Sequence, residues 1–239
     1  MKKKFVLDVH CHTVSSGHAY STVTECAKAA SENGIELIAI TDHAPEMPGS
    51  CSHLHFLNLG VIPDELFGVE VLKGVELNIL DINGKIDLPK NILKKLDVVI
   101  ASLHIPCIDP MSFDANTECI INTMKNPYIK ILGHPGDPRY PFDIKKVVIA
   151  SGENGTVLEL NNASLSSPAN GRFDGPETFL EILRECKRQG LPIILGSDSH
   201  FHTNIGNFSE VEKLVDEVNF PDELILNTSV EKFKKFIGK

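Results

Sequence analysis

Short runs rich in Val, Ile and Leu recur along this chain at Phe5 to Val9, Leu37 to Ile40, Val69 to Val75, Val98 to Ala101, Ile129 to Leu132, Val157 to Leu160 and Ile193 to Leu195. Runs of this length and composition read as buried strands. Between them lie segments with helical spacing, clearest at Thr24 to Asn33 and Pro176 to Gln189, each closed by a glycine, at 34 and at 190. Strand, helix, strand in repetition requires crossover connections and so predicts a parallel sheet. Seven or so such units without a Gly-x-Gly-x-x-Gly turn favour a closed or distorted α/β barrel over an open sheet. A chain of 239 residues with 42% hydrophobic content buries one substantial core, so residues 1–239 are expected to form a single domain.

Nearly every expected strand ends in a residue able to bind a metal: Asp8-Val9-His10-Cys11-His12, Thr41-Asp42-His43, Gly74-Val75-Glu76, Ser102-Leu103-His104, Gly133-His134-Pro135 and Ser197-Asp198-Ser199-His200. In a parallel barrel all those ends share one face, so residues distant in sequence converge there. A single His at a strand end is more often a hydrogen-bonded rim residue than a ligand. His10 and His12 are more specific, because side chains two apart on a strand point to the same face and can grip one ion. Six such ends together are what neither packing nor solvation selects. The donors are all nitrogen and oxygen, which sets them apart from the Cys-rich closed tetrahedra of structural zinc, and they are numerous enough to leave positions open for water and substrate. A phosphate ester is the natural target, since two or three cations neutralise its oxygens while a metal-bound hydroxide attacks in line.

Charge excludes one class of partner. The net charge is -9, with lysines and arginines scattered apart from Lys2 to Lys4 and the stretch Lys232 to Lys239. Holding a long nucleic acid requires a concentrated basic surface, so no extended nucleic-acid partner is expected. A small phosphorylated substrate stays compatible, because bound metals reverse the local field. The six cysteines form no Cys-x-x-Cys pair, and the apolar stretch after Met-Lys-Lys-Lys is too short for a signal peptide. No segment approaches the roughly 20 apolar residues of a membrane span, and a cytoplasmic location is expected. The longest loop-like stretch, Ala44 to Gly60, reads equally as a lid or a surface excursion.

The ordered series Asp8-x-His10-x-His12, His18, Asp42-His43, Glu76, His104, Gly133-His134-Pro135 and Asp198-x-His200 resembles the PHP family, the polymerase and histidinol phosphatase superfamily. Through His53-Leu54-His55-Phe56, Glu159-Leu160-Asn161-Asn162 and Gly196-Ser197-Asp198-Ser199-His200 it is most similar to the free-standing bacterial YcdX-type phosphatases. The resemblance implies a distorted (β/α)7 barrel with about three divalent metals, commonly zinc, with manganese or iron in some members. By position, His10, His12 and Asp198 would hold the first ion, Glu76 would bridge it to a second held by His104 and His134, and His18, His43 and His200 would hold the third. A hydroxide bridging two ions is then the nucleophile, with Glu76, Asp198 and His18 the residues tied most closely to the reaction. Asp8 and Asp42 are read as partners that orient imidazoles.

The expected activity is hydrolysis of a small phosphomonoester. Competing expectations are a phosphodiesterase or exonuclease, a histidinol phosphatase, and a metal-binding module without turnover. For substrate contacts the candidates are Arg172, whose planar guanidinium suits phosphate, and His53 and His55 from the 44–60 stretch. Asn161 and Asn162, at a strand end, either hydrogen-bond a ligand or shape a turn. A homo-oligomer, specifically a trimer, is suggested by the resemblance alone.

Overall fold

The computed structural model describes residues 3–166 and 175–239. Its strands are β1 Leu7–Cys11, β2 Leu37–Ile40, β3 Glu65–Leu66, β4 Val69–Asn78, β5 Val98–Ser102, β6 Ile131–Leu132, β7 Val157–Asn161 and β8 Ile193–Gly196. The helices are α1 Val23–Glu32, α2 His53–Asn58, α3 Lys90–Leu93, α4 Phe113–Met124, α5 Ile144–Asn154, α6 Asn162–Ser166, α7 Pro176–Gln189, α8 Ser209–Glu217 and α9 Val230–Ile237. Seven strands run parallel in the order β1-β2-β4-β5-β6-β7-β8, while β3 forms a short antiparallel hairpin with β4. The result is a nearly closed barrel with surrounding helices, the distorted (β/α)7 architecture expected.

Local chemistry explains the helix ends. Thr22 and Glu25 form a reciprocal capping box at the start of α1, and Pro176 occupies the first turn of α7, where a missing N–H costs nothing. The stretch 44–60 is not all loop: it contains α2, anchored in the core by the fully buried Phe56. Among the described residues no helix is long and apolar enough to cross a membrane.

Strand alternation builds the site. Leu7, Val9, Leu37, Ala39, Leu72, Val98, Ile100, Ile131, Val157 and Ile194 join Leu226 and Phe233 in one apolar cluster that fills the interior, and α9 packs beneath it. Val71, Val75, Leu77, Val99, Leu158 and Leu160 belong to the larger cluster shared with the helices. Because side chains alternate, the interior face of β4 continues from Leu72 to Glu76 and Asn78, and that of β7 from Val157 to Glu159 and Asn161. An apolar lower layer therefore gives way to a polar upper one at the C-terminal ends of the strands.

Closure between β1 and β8 is not a continuous ladder. At the top, His12 N–H donates to Ser199 O at 2.9 Å and Ser199 N–H to His10 O at 3.3 Å. In the middle, buried Asp8 accepts N–H groups of Ser197 (3.2 Å) and Gly206 (2.8 Å). At the bottom, Asn227 Nδ2 donates to Leu7 O (3.0 Å) and Leu195 O (2.8 Å), and its Oδ1 accepts from Leu195 N–H (2.7 Å). Asn227 thus substitutes for a missing strand. Truncating it strands three buried backbone groups at about 1–3 kcal/mol each. Asn227→Ala is expected to lose about 3 kcal/mol or more in urea unfolding, and a loss below about 1 kcal/mol would show that the seam tolerates the gap.

Candidate metal centre

Strand ends bring together most of the residues singled out in the sequence. Glu76 is fully buried at the centre of the upper layer. Its Oε1 lies 3.4 Å from His10 Nε2, 3.3 Å from His104 Nε2 and 2.8 Å from His134 Nε2, and its Oε2 lies 2.7 Å from His43 Nδ1 and 3.5 Å from His12 Nε2. Asp198 Oδ1 faces His12 Nε2 at 3.2 Å and His10 Nε2 at 3.6 Å. Three compact donor groups result: His10, His12 and Glu76; His43, Glu76 and His104; and His12, His43 and His200. His18 is outside these groups, exposed at the mouth, with its ring stacked 4.9 Å from that of His43 and tilted 4.8 Å from that of His200.

Hydrogen bonds behind the imidazoles fix which nitrogen carries the proton. Glu159 Oε1 takes the Nδ1–H of His10 at 2.6 Å. Asn78 Oδ1 takes that of His104 at 2.8 Å, its amide orientation set by donation to Ala44 O and Asp87 Oδ2. Ser16 Oγ takes that of His12 at 3.0 Å because its own proton goes to Asp42 Oδ1 at 2.7 Å. The carbonyl of Asp198 takes that of His200 at 3.0 Å. Each tautomer so set leaves an Nε2 lone pair for the centre, the arrangement a metal-binding imidazole needs.

The lone pairs are otherwise unspent. His10 Nε2, His12 Nε2, His43 Nδ1 and Glu76 Oε2 are buried polar atoms without a hydrogen-bond partner, while His134 turns Nε2 to Glu76 Oε1 at 2.8 Å. Buried polar groups are normally satisfied, so such a concentration marks a place built for something else. A tetrahedral ion with bonds near 2.0–2.1 Å sets its donors about 3.4 Å apart. The 3.2–3.6 Å separations of His10 and His12 Nε2 from Asp198 Oδ1 and from the Glu76 oxygens, Oε1 for His10 and Oε2 for His12, match that spacing. The residues present therefore fit a divalent metal.

Electrostatics agree. Burial disfavours a charged Glu76, yet His43, His10 and His104 outweigh it and hold the carboxyl well below its ordinary range. Burial and the neighbouring imidazoles of His200 and His43 push His12 well down, and burial with His43 and His200 brings His18 to about 4. For His10 burial opposes the charge, but Glu159, Glu76 and Asp198 prevail and raise it. Two donors also carry strained backbone: His134 at φ 27° and Asp198 at φ 52°, a region non-glycine residues seldom occupy. Gly196 is required beside them, since a Cβ there would collide with Glu159 Oε1.

Glu159, Asn78 and Ser16 escaped the sequence reading as positioning groups. Glu159 had a signal, a lone carboxylate at the interior parity of an apolar strand; Asn78 and Ser16 had none. Asp42 does orient an imidazole, through Ser16. Asp8, expected to do the same, instead accepts backbone N–H groups of His10, Ser197 and Gly206 in the seam. Asn161 donates to Glu159 and Asp198, and Asn162 caps the start of α8 through Glu210 N–H.

Above the donors opens a cavity of about 660 Å³, lined among others by His18, His43, His104, His134, Asp198 and His200, with Met47, Pro48, Leu103 and Ile105 giving it an apolar side. Arg139, whose guanidinium is clamped by Asp137 at 2.6–3.1 Å, also lines it. Of the three residues expected to contact substrate, Arg172 lies outside the described residues. His53 is exposed on α2, and His55 turns to Asp42 at 3.3 Å; neither lines the cavity.

Comparison with known proteins follows the same lines. The chain is 53% identical over 236 residues, 99% of its length and 96% of the other's, to a protein of Acetivibrio thermocellus named "probable phosphatase". It is 48% identical over 239 residues, 99% of its length and 92% of the other's, to one of the same name from Caldanaerobacter subterraneus. Its fold is shared with the crystal structure of histidinol phosphate phosphatase from Lactococcus lactis complexed with zinc, L-histidinol and phosphate: TM-score 0.63, 21% identity, 90% of this chain and 94% of that one. Residues 8–163 match the model of the PHP domain, and this chain belongs to that family.

Proposed function

We propose that this chain is a metal-dependent phosphatase that hydrolyses small phosphomonoesters with about three divalent ions, zinc foremost and manganese or iron as alternatives. His10, His12, Glu76 and Asp198 would hold one ion, Glu76, His104 and His134 a second, and His18, His43 and His200 a third. The observation that carries the reading is the buried set of unpartnered nitrogens and oxygens converging beneath an open cavity. The names of the relatives from Acetivibrio and Caldanaerobacter point the same way. Bound divalent ions supply positive charge for the phosphoryl oxygens and acidify water at neutral pH.

The protein's own part is preorganisation. Glu159, Asn78, Ser16 and the Asp198 carbonyl keep the imidazoles in the tautomer that leaves Nε2 free for the ions, so no donor must reorient when substrate arrives. A cavity far larger than a phosphate leaves room for the leaving group, and its apolar side excludes water from one flank. A module that used metal only to stabilise its fold would need no such opening.

Elemental analysis of purified protein, beside rates on p-nitrophenyl phosphate and bis-p-nitrophenyl phosphate, tests the reading. About three ions per chain and a preference for the monoester are expected. A strong preference for the diester would replace the monoesterase with a diesterase; metal-replete protein inert on a panel of phosphate esters would leave a binding module.

A further inference from the structure

A buried polar chain runs from the 44–60 stretch to the metal centre. His55, on α2, is less than a quarter exposed and places Nε2 at 3.3 Å from Asp42 Oδ2, a close polar contact short of an aligned hydrogen bond. Asp42, almost fully buried, accepts Thr13 N–H at 2.7 Å and Thr13 Oγ–H at 2.8 Å as well as the Ser16 hydroxyl. Ser16 Oγ then accepts from His12 Nδ1–H and, at 3.1 Å, from His43 N–H. Two candidate ligands, one just after β1 and one just after β2, thus hang on one hydroxyl. Its direction is set by one carboxylate, and that carboxylate is shared with a side chain from outside the barrel.

We propose that His55 is a positioning residue for the metal centre, acting through Asp42 and Ser16 on His12. The chemistry needs an outer partner of this kind. Asp42 Oδ1 is occupied by Ser16 and Thr13 N–H, and Oδ2 by Thr13 Oγ–H. The His55 ring, with Nε2 at 3.3 Å from Oδ2, stands in the way of a rotation of the carboxylate that would carry the Ser16 hydroxyl with it. Packing supports the same role: Phe56, next in sequence, is fully buried and pins α2 in place. Residues 44–60 therefore act here as a clamp on the ligand set. The inference rests on the metal-dependent reading above.

The experiment is a double-mutant cycle read as metal loss. Wild type, His55→Leu, Ser16→Ala and the double variant, each loaded with zinc, are challenged with excess EDTA, and zinc remaining per chain is followed by elemental analysis alongside circular dichroism. Loss of an outer partner typically costs 10–100-fold in metal affinity. His55→Leu is expected to lose zinc about 10-fold or more faster than wild type with its fold intact, and His55→Gln, which keeps an N–H for Asp42, to recover most of that difference. In the Ser16→Ala background, His55→Leu is expected to add less than about twofold, because the chain is already cut.

Zinc retention by His55→Leu equal to wild type overturns the proposal. So does an undiminished His55→Leu effect in the Ser16→Ala background, which would mean another route. If His55→Leu does not fold, His55→Gln carries the test, and a Gln variant that loses zinc as Ser16→Ala does overturns it. Wild type that holds no zinc before the challenge is a different result: it removes the metal-dependent reading itself, and this inference with it.

Discussion

Glu76→Gln is expected to lower kcat/KM on p-nitrophenyl phosphate by at least about 10³-fold, about 4 kcal/mol at 1.36 kcal/mol per tenfold, and to reduce bound metal by more than one ion per chain. The size follows from position. Glu76 lies within 2.7–3.5 Å of five imidazole nitrogens, on His10, His12, His43, His104 and His134, and belongs to two of the three donor groups. Asp198 faces His10, His12 and His200 at 3.2–3.6 Å, toward one side of the cluster. Gln keeps the volume, so the fully packed layer above Leu72 and Val98 survives. The change removes a full negative charge from a site where burial amplifies it, and sets an amide N–H against a lone pair. Circular dichroism is expected to be unchanged while elemental analysis shows the loss. A Gln variant with wild-type metal content would remove Glu76 from the centre of the proposal.

Most of the barrel was legible because parallel strands buried on both faces read as continuous apolar runs, and each of the seven parallel strands overlaps one of them. The first was displaced: Leu7–Cys11 instead of Phe5 to Val9, since an irregularity between Asp8 and Cys11 lets the strand continue through His10 to the seam with Ser199. The β3 hairpin was invisible, being two residues, Glu65 and Leu66, whose pairing depends on β4. Donors such as Glu76 and His134 could be read from their place at strand ends. Their supports could not. Glu159 reaches His10 across 149 residues of sequence, and Asn227 joins β1 to β8 from a short helical turn with no pattern of its own. Parity tells which face a side chain takes, whereas its partner is decided by which strand closes against which. The 44–60 stretch shows the limit most clearly: its histidines suggested substrate contact, and one of them instead faces Asp42.

Removing the metals is expected to lower thermal stability, and the loss should depend on pH in a direction the site dictates. A ligand present at about 1,000 times its Kd stabilises the folded state by about 4 kcal/mol. For a domain of this size that is on the order of 10 °C in Tm, so EDTA-stripped protein at pH 8 should melt at least that much earlier than loaded protein. Metals compete with protons for the same nitrogens. Protonation of the stripped centre is favoured at His10, where Glu159, Glu76 and Asp198 overcome burial and raise the pKa above the unfolded value near 6.5. A raised pKa contributes stability that is fully present below the unfolded value and is lost as pH rises through the folded one. Stripped protein therefore gains from this group on going from pH 8 to pH 6, while loaded protein, whose imidazoles must stay neutral to bind, loses affinity over the same interval. The gap between the two melting curves should narrow at pH 6 and be widest at pH 8. Calorimetry on both forms at the two pH values measures it directly. A gap that stayed constant would mean that protons and metals do not share these donors, and the nitrogens around Glu76 would then need another explanation for being buried without partners.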